Sequence, residues 1–216
     1  MSRPEIVVVD YGAGNLRSVQ RALEATGHQA RLTSRPAEIE RARGLVLPGV
    51  GSSKDAMKAL RDLDLVEPLR AYAASGRPFL GVCLGLQLLY EWSEEGGRVE
   101  CLGLLPGTVR RFPHQPGFKV PQIGWNAVRI TRSHPLVDNI PSGSYFYFVH
   151  SYYAEPDPGV TLGQAEHGVP FAAIVARDNV AATQFHPEKS AALGLRIYAN
   201  FGRIVSLERI PAHSRD

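Results

Sequence analysis

The chain has 216 residues, of which 44% are hydrophobic and 21% charged, and its formal net charge is +3. This composition is typical of a soluble globular protein with a real core, and the small charge, without a dense basic block, argues against a nucleic-acid partner. No apolar stretch approaches the ~18 residues of a membrane span. Its two cysteines, Cys83 and Cys101, form neither a disulfide framework nor a zinc-ligand set, so a cytoplasmic protein without metal or cofactor is expected.

Strand-like and helix-like segments alternate through the first half of the chain. The predicted strands lie at 6–10, 29–33, 44–47 and just before residue 83, and the predicted helices lie at 15–26, 37–41, 55–60 and 65–75. The first helix is expected to end at Gly27, a typical C-terminal glycine. This alternation indicates a parallel sheet with helices on both faces, and such sheets bind ligands beyond the carboxyl ends of their strands.

The pattern changes after about residue 103, where Pro, Gly and aromatic residues become frequent. Short alternating runs at 127–130, 145–149, 160–165 and 171–175 are predicted to form antiparallel hairpins in the same sheet, and a helix is predicted at 193–204. The predicted fold class is therefore α/β with three layers: a mostly parallel central sheet, helices on both faces, and antiparallel C-terminal strands. No repeat or long linker interrupts the chain, so residues 1–216 are predicted to form a single domain.

Residues 81–85 read Gly-Val-Cys-Leu-Gly, between an apolar run at 78–80 and an apolar stretch at 84–90 that is predicted to be helical. This pattern is typical of a nucleophile elbow, in which a strand turns sharply into a helix and exposes one strained side chain. The flanking glycines allow backbone and substrate to approach, and a helix N-terminus favours the thiolate of Cys83. The alternative is an inert cysteine buried in the core.

A second cluster, Gln-Phe-His-Pro-Glu at 184–188, follows about a hundred residues later. Side chains two residues apart in an extended segment point the same way, and Pro187 favours an extended conformation at His186. Glu188 is therefore expected to orient one ring nitrogen of His186 and to leave the other for Cys83. Alone, the segment could be an ordinary loop; together with the elbow it indicates a Cys-His-Glu triad.

Gly12 and Gly14 follow the first predicted strand and raise the alternative of a dinucleotide site. The third glycine of that fingerprint would fall on Arg17, and no acidic residue ends a following strand at a suitable distance. A structural turn is the favoured interpretation.

With these features in place, the chain resembles the class I, or triad, glutamine amidotransferases, and more narrowly the glutaminase subunits of imidazole glycerol phosphate synthases. The resemblance covers nearly the whole chain. The elbow and the His-Pro-Glu segment occur in any triad amidotransferase, whereas Pro-Gly-Val-Gly, Gly-Trp-Asn and Phe-Val-His-Ser-Tyr point to the narrower group. The resemblance rests on Tyr-Gly-Ala-Gly-Asn-Leu (11–16), Leu-Pro-Gly-Val-Gly (47–51), Gly-Val-Cys-Leu-Gly-Leu-Gln (81–87), Lys-Val-Pro-Gln-Ile-Gly-Trp-Asn (119–126), Tyr-Phe-Val-His-Ser-Tyr (147–152) and Gln-Phe-His-Pro-Glu-Lys-Ser (184–190).

The resemblance implies hydrolysis of L-glutamine to L-glutamate and ammonia through a thioester. Cys83 is the expected nucleophile, His186 the group that takes its proton and passes it to the leaving nitrogen, and Glu188 the carboxylate that orients the imidazole.

Two sets of backbone N–H groups are expected to bind the oxyanion of the tetrahedral intermediate. One is the N–H of Leu84, and the other lies in the glycine-rich loop of Gly49, Val50 and Gly51, for which an ordinary tight turn is the alternative. One such donor typically contributes about 3 kcal/mol to transition-state stabilisation, so a loop that rearranges to present it could switch activity.

Gln87 lies four residues after Cys83, hence on the same helix face. The resemblance assigns Gln87 to glutamine binding, together with the segment of Ser151 and Tyr152; the alternative for Gln87 is a solvent-facing helical residue. His150 follows an apolar run and is predicted to be a structural, hydrogen-bonded histidine rather than a second base.

The resemblance also implies a heterodimer with a (β/α)8-barrel cyclase. That partner would use the ammonia to make imidazole glycerol phosphate and an aminoimidazole carboxamide ribotide in histidine biosynthesis. By resemblance, Trp125, Asn126, Tyr147 and Lys189 match interface positions. From the residues alone, core packing of Trp125 and Tyr147 and solvent exposure of Lys189 are the alternatives.

Two other functions stay open at this stage. The chain could be the glutaminase of another synthase, such as pyridoxal phosphate synthase, or a catalytically silent regulatory module of the same fold. Pro-Gly-Val-Gly and Gly-Trp-Asn disfavour the first, and the intact triad disfavours the second. Departures from the pattern are small: Gln122 stands where histidine is common, and the tail beyond Ser206 is idiosyncratic.

Overall fold

The computed structural model describes residues 5–207, and within them strands form one nine-stranded sheet and one four-stranded sheet. The strands are β1 (Glu5–Val9), β2 (Gln29–Thr33), β3 (Gly44–Gly49), β4 (Phe79–Cys83), β5 (Tyr90–Ser93), β6 (Val99–Glu100), β7 (Leu105–Arg111), β8 (Gln122–Ile130), β9 (Ser144–His150), β10 (Tyr152–Ala154), β11 (Thr161–His167), β12 (Val169–Arg177) and β13 (Val180–Thr183). The helices are α1 (Leu16–Ala25), α2 (Pro36–Arg41), α3 (Ser53–Asp62), α4 (Val66–Ala74), α5 (Leu84–Gln87) and α6 (Ala191–Leu207), and 3-10 turns lie at Pro135–Val137 and Pro187–Lys189.

The nine-stranded sheet has the order β2-β1-β3-β4-β13-β12-β11-β8-β9. Its first five strands are parallel, and each later neighbour pairs antiparallel. The parallel strands β3, β4 and β13 are adjacent, so their carboxyl ends lie together at one edge. The fold class predicted from the sequence, including the antiparallel strands in the same sheet, is confirmed.

The sheet is buried on both faces because its inner strands are apolar at successive positions. In β1, Ile6 and Val8 belong to one apolar cluster, whereas Val7 and Val9 belong to the other. Helices α1 and α6 contribute to the first cluster, and α2, α3 and α4 contribute to the second. This two-sided burial makes the three layers, as expected for a parallel sheet.

Helix α1 ends as its sequence predicts. Gly27 has φ +86° and donates to the carbonyl of Glu24 at 2.9 Å, while His28 donates to the carbonyl of Leu23 at 3.2 Å. These two bonds form a Schellman motif, which satisfies the last carbonyls of the helix.

The prediction of a helix through residues 84–90 is wrong beyond its first turn. Helix α5 ends at Gln87, and Tyr90 begins β5 of the four-stranded sheet, whose order is β10-β7-β5-β6. Residues 84–90 are all buried, so their apolar run has no periodicity that could separate a helical turn from a strand. The second sheet was not predicted.

Among residues 5–207, no helix has the length and apolar character needed to cross a membrane. Beyond Leu207, the idiosyncratic tail lies outside the described residues.

Candidate active site

Cys83 lies at the end of β4, where the chain turns directly into α5. Its φ of 56° and ψ of −112° are a conformation that non-glycine residues rarely adopt, as in a nucleophile elbow. The flanking glycines are sterically required: a Cβ on Gly81 would lie 2.8 Å from the carbonyl oxygen of Gly85, and a Cβ on Gly85 would lie 1.9 Å from that of Leu47. The sharp turn holds the sulfur at the carboxyl edge of the parallel strands.

His186 follows β13, the strand next to β4, in an extended conformation with φ −94° and ψ 100°. Its Nδ1 lies 2.8 Å from Oε1 of Glu188, to which it donates. Burial lowers the pKa of His186, but its hydrogen bonds and charge interactions with Cys83 and Glu188 outweigh burial and raise that pKa to about 10. The structure therefore brings Cys83, His186 and Glu188 together, and both neighbours favour the protonated form of the imidazole.

Glu188 is held by two further side chains that the sequence analysis did not single out. The Nδ2 of Asn15 donates to Oε1 of Glu188, and the hydroxyl of Tyr198 on α6 lies 3.2 Å from its Oε2. Burial and the Glu188 charge raise the pKa of Tyr198 well above its usual value, so the phenol keeps its proton and donates. Asn15 belongs to the glycine-rich turn after β1, so that turn places a donor on the carboxylate.

The loop after β3 lies directly beside the cysteine, since Gly49 pairs with Cys83 in the sheet. Val50 and Gly51 line the same pocket as the sulfur, and Gly51 has φ +91°. The hydroxyl of Tyr11 donates to the carbonyl of Pro48 at 2.9 Å, which anchors the chain just before the loop.

The chain after this loop is anchored as well. Ser52 caps α3 by accepting from the N–H of Asp55 at 3.1 Å. The carboxylate of Glu95 accepts from the N–H of Ser53 at 2.7 Å. Hydrogen bonds therefore hold the chain on both sides of residues 49–51.

These groups surround a pocket of about 280 Å³, a size suited to a small ligand. It is lined by Val50, Gly51, Cys83, Leu84, Gln87, Glu95, Pro121, Val149, His150, Ser151, Tyr152, His186 and Lys189. Glu95 is a lining residue that the sequence analysis missed, because it lies in the β5–β6 connection that was not predicted.

Gln87 is buried rather than solvent-facing. Its Nε2 donates to the carbonyl of Tyr152 at 2.9 Å and to Oε1 of Gln184 at 3.0 Å. Both amide hydrogens are therefore used within the protein, and a ligand contact has to involve Oε1 of Gln87.

His150 is a buried histidine whose two ring nitrogens are hydrogen-bonded. Nδ1 lies 2.8 Å from the carbonyl of Tyr152, and Nε2 lies 2.8 Å from the side-chain amide of Gln122. Burial lowers the pKa of His150 to about 4, although the bond to Tyr152 acts in the opposite direction. Oε1 of Gln122 is the atom that faces Nε2. Because a neutral imidazole that donates from Nδ1 can only accept at Nε2, we infer that the side-chain amide of Gln122 is rotated by 180°, so that it presents an N–H there.

This burial predicts a pH-dependent loss of stability. Between the ordinary histidine pKa of 6.5 and the folded value of about 4, the unfolded chain protonates His150 and the folded chain does not. Stability from this group is therefore complete above pH 6.5 and is lost as the pH falls toward 4, by about 3 kcal/mol in total. Urea unfolding at pH 7 and pH 4.5 should show a smaller acid loss in His150→Asn than in the wild type. Equal losses in both proteins would contradict this.

The four residues predicted at a partner interface lie on β8, β9 and the turn after His186. Trp125 is 53% exposed, which rules out core packing, and its ring contacts the half-buried Tyr147 edge-on at a centroid distance of 6.1 Å. The Nδ2 of Asn126 donates to the carbonyl of Glu166 at 2.8 Å. Lys189 is exposed and lines the pocket.

Comparisons with known proteins agree with this architecture. A profile of the family described as "Glutamine amidotransferase class-I" matches residues 7–203. Proteins named "Imidazole glycerol phosphate synthase subunit HisH" match over most of their length. The relative from Syntrophotalea carbinolica is 52% identical, and the match covers 91% of this chain and 98% of the relative. The relative from Desulfitobacterium hafniense (strain DSM 10664 / DCB-2) is 50% identical, and the match covers 93% of this chain and 95% of the relative.

Solved structures share the fold at lower identity. A glutamine amidotransferase from Thermotoga maritima aligns with a TM-score of 0.67 and 14% identity over 95% of this chain and 99% of that one. PurLQS from the same organism aligns with a TM-score of 0.70 and 17% identity over 94% of this chain and 98% of that one. The chain belongs to the class-I glutamine amidotransferase family and, within it, groups with the imidazole glycerol phosphate synthase subunits named HisH.

Proposed function

We propose that this chain is a glutaminase subunit that releases ammonia from L-glutamine through a thioester on Cys83, with residues 1–216 acting as one domain. The observation that carries the proposal is the adjacency of sulfur, imidazole and carboxylate in one pocket at the carboxyl edge of the parallel strands. The raised pKa of His186 supports an imidazolium beside the sulfur of Cys83. An imidazolium at that place favours a thiolate nucleophile and is already positioned as the acid for the leaving group.

In the proposed reaction, the sulfur of Cys83 attacks the Cδ carbonyl of glutamine and forms a tetrahedral intermediate. His186 gives its proton to the amide nitrogen, the carbon–nitrogen bond breaks, and ammonia leaves a γ-glutamyl thioester. The now neutral imidazole takes a proton from water, which attacks the thioester carbonyl. The tetrahedral intermediate collapses as the carbon–sulfur bond breaks, the thiolate of Cys83 leaves, and glutamate is released with its carboxyl proton lost to solvent. This restores the sulfur and the protonated His186.

The N–H of Leu84, at the turn after the nucleophile, is the first proposed oxyanion donor. The second is an N–H of the Gly49–Gly51 loop. That loop lies directly beside Cys83 and is anchored at both ends, as described above, so a peptide rotation within it would add or remove a donor without moving its flanks. We assign the activity switch to this rotation.

Glutamine also carries an ammonium and a carboxylate at its α-carbon. Of the described side chains that line the pocket, Glu95 alone is a carboxylate, and it is the proposed partner of the ammonium. Ser151 and Tyr152 line the pocket as well and are proposed to meet the same end of the substrate, with Oε1 of Gln87 as a further contact.

A glutaminase that feeds a synthase has to dock to it, because ammonia released into water would be protonated and lost. The relatives' name, a subunit of imidazole glycerol phosphate synthase, supports a partner subunit. We propose that this partner is the (β/α)8-barrel cyclase implied by the sequence resemblance, that the two chains form a heterodimer, and that the cyclase uses the ammonia in histidine biosynthesis. Exposed large side chains on β8 and β9 support a docking surface there: Ile123 is 63%, Trp125 53% and Tyr145 61% exposed. We include Asn126, Tyr147 and Lys189 in this surface.

The docking surface is physically connected to the triad. The carbonyl of Tyr147 accepts from the N–H of His186 at 3.0 Å, and the N–H of Tyr147 donates to Oγ of Ser190 at 3.0 Å. A partner that presses on β9 therefore acts on the turn that carries His186 and Glu188.

This connection predicts that the partner stimulates the enzyme. Glutamine turnover by the free chain should be slow and should rise when the cyclase and its nucleotide substrate bind. Trp125→Ala should weaken the complex by about 2 kcal/mol, a typical loss for a central tryptophan, and should remove the stimulation at limiting partner concentration. Initial rates with and without partner, together with a binding titration, measure both effects. Equal rates in all conditions would exclude the switch.

The two alternative functions make different predictions. A glutaminase of another synthase would be captured with that synthase instead of the cyclase, and the relatives' names disfavour it. A silent module would neither react with a glutamine-like electrophile nor turn over glutamine in any complex, and the assembled triad disfavours it.

A further inference from the structure

We propose that Gln184 is a further catalytic residue, which donates a hydrogen bond to the thiolate of Cys83; this rests on the function proposed above. Gln184 follows β13 and is fully buried, two residues before His186. Its Nε2 lies 3.9 Å from the sulfur of Cys83, and its Oε1 lies 3.0 Å from Nε2 of Gln87. The side chain therefore bridges the candidate nucleophile and a candidate substrate contact.

The direction of these bonds is fixed by a backbone carbonyl. The carbonyl of Tyr152 can only accept, so the side chain of Gln87 has to present its NH2 group there. The second hydrogen of that NH2 points to Gln184, which has to accept through Oε1. The NH2 of Gln184 is then turned toward the sulfur of Cys83. The amide orientation thus follows from the hydrogen-bond network.

A donor at this position has a specific electrostatic task. The carbonyl oxygen of Val149 lies 3.9 Å from the same sulfur, where it can accept from a thiol but repels a thiolate. The N–H of Gln184 has the opposite preference, because it can donate to a thiolate. Because Cys83 is buried, such a fixed donor stabilises the charged sulfur at no reorganisation cost. Gln184 therefore offsets the effect of Val149 and assists His186.

The test is the pH profile of Cys83 alkylation by iodoacetamide in the full chain, followed on the peptide that contains Cys83. Gln184→Met keeps the length of the side chain and removes the donor, and Gln184→Glu places a carboxylate at the same point. Gln29→Met is the matched control, since Gln29 is exposed on the edge strand β2. None of these variants replaces a titratable side chain near the sulfur. Those side chains are Tyr11, Glu95, His150, His186, Glu188 and Lys189.

Both Gln184 variants should shift the profile upward by about one pH unit and lower the alkylation rate at pH 7 about tenfold, while Gln29→Met should match the wild type. A purely structural role in holding Gln87 would raise KM for glutamine but leave the alkylation profile in place, and that result would overturn the proposal. If Gln184→Met fails to fold, Gln184→Leu replaces it, because it also lacks the donor and carries no charge, whereas the carboxylate of Gln184→Glu shifts the profile by its charge alone. Wild-type glutamine turnover in the complex, measured alongside, separates failure of this inference from failure of the glutaminase assignment.

Discussion

Cys83→Ala is expected to abolish glutamine-dependent synthesis by the complex, by at least about ten-thousandfold, and to leave ammonia-dependent synthesis at the wild-type rate. The reason is that the thioester cannot form without the sulfur, whereas the partner's own chemistry needs only ammonia. Product formation by the complex is measured with glutamine and, separately, with an ammonium salt at high pH.

Cys101→Ala is the matched control for this experiment. Cys101 is buried, and burial raises the pKa of its thiol to about 12, so it is not available as a nucleophile. Its variant should keep both activities. Loss of both activities in Cys83→Ala, or survival of the glutamine-dependent one, would contradict the assigned role.

Gly85→Ala is expected to destabilise the protein by about 3 kcal/mol or more and to remove the glutaminase activity. The added methyl would lie 1.9 Å from the carbonyl oxygen of Leu47, which is backbone and cannot rotate away. Relief requires β3 and the elbow to separate, and this displaces both Cys83 and the Gly49–Gly51 loop. Urea unfolding and glutamine turnover in the complex report the two consequences.

Gly159→Ala serves as the control for a glycine substitution. Its nearest neighbour would be the flexible side chain of Asp157, at 3.2 Å, in an exposed turn. It should change stability by less than about 1 kcal/mol and leave turnover intact. A Gly85→Ala protein as stable and active as this control would refute the steric account of the elbow.

Much of the fold could be predicted because local patterns and tertiary structure agree. The β-branched run of β1 fits a strand that is buried on both faces. Gly27 follows α1 with a positive φ, as expected for a C-terminal glycine. The elbow glycines and Pro187 constrain the backbone locally, so the places of Cys83 and His186 could be inferred from a few residues each.

The second sheet could not be predicted because its strands are short and irregular in the sequence. Strand β6 has two residues, and β5 has four that follow an apolar run without periodicity. Strand β6 pairs with β5, and the pairing of β5 with β7 is a long-range contact that no local pattern encodes. Glu95 was missed for the same reason, because its approach to Ser53 and the pocket depends on that sheet.

Other residues were missed because their roles depend on partners far along the chain. Asn15 and Tyr198 converge on Glu188 from opposite ends of the sequence, and Tyr198 reads simply as an apolar position of α6. Gln184 stands out in the sequence only as part of a motif. Its position between Cys83 and Gln87 emerges from the packing of β13 beside β4.

The central claim is that Cys83 is the nucleophile that glutamine meets, and covalent labelling tests it most directly. The wild-type chain in complex with its partner is treated with a chloroketone analogue of glutamine, and the modified peptide is identified by mass spectrometry. We expect a single adduct on Cys83 that excess glutamine suppresses and that is absent from Cys83→Ala. Labelling of Cys101 instead, or labelling of Cys83 that glutamine does not suppress, would contradict it.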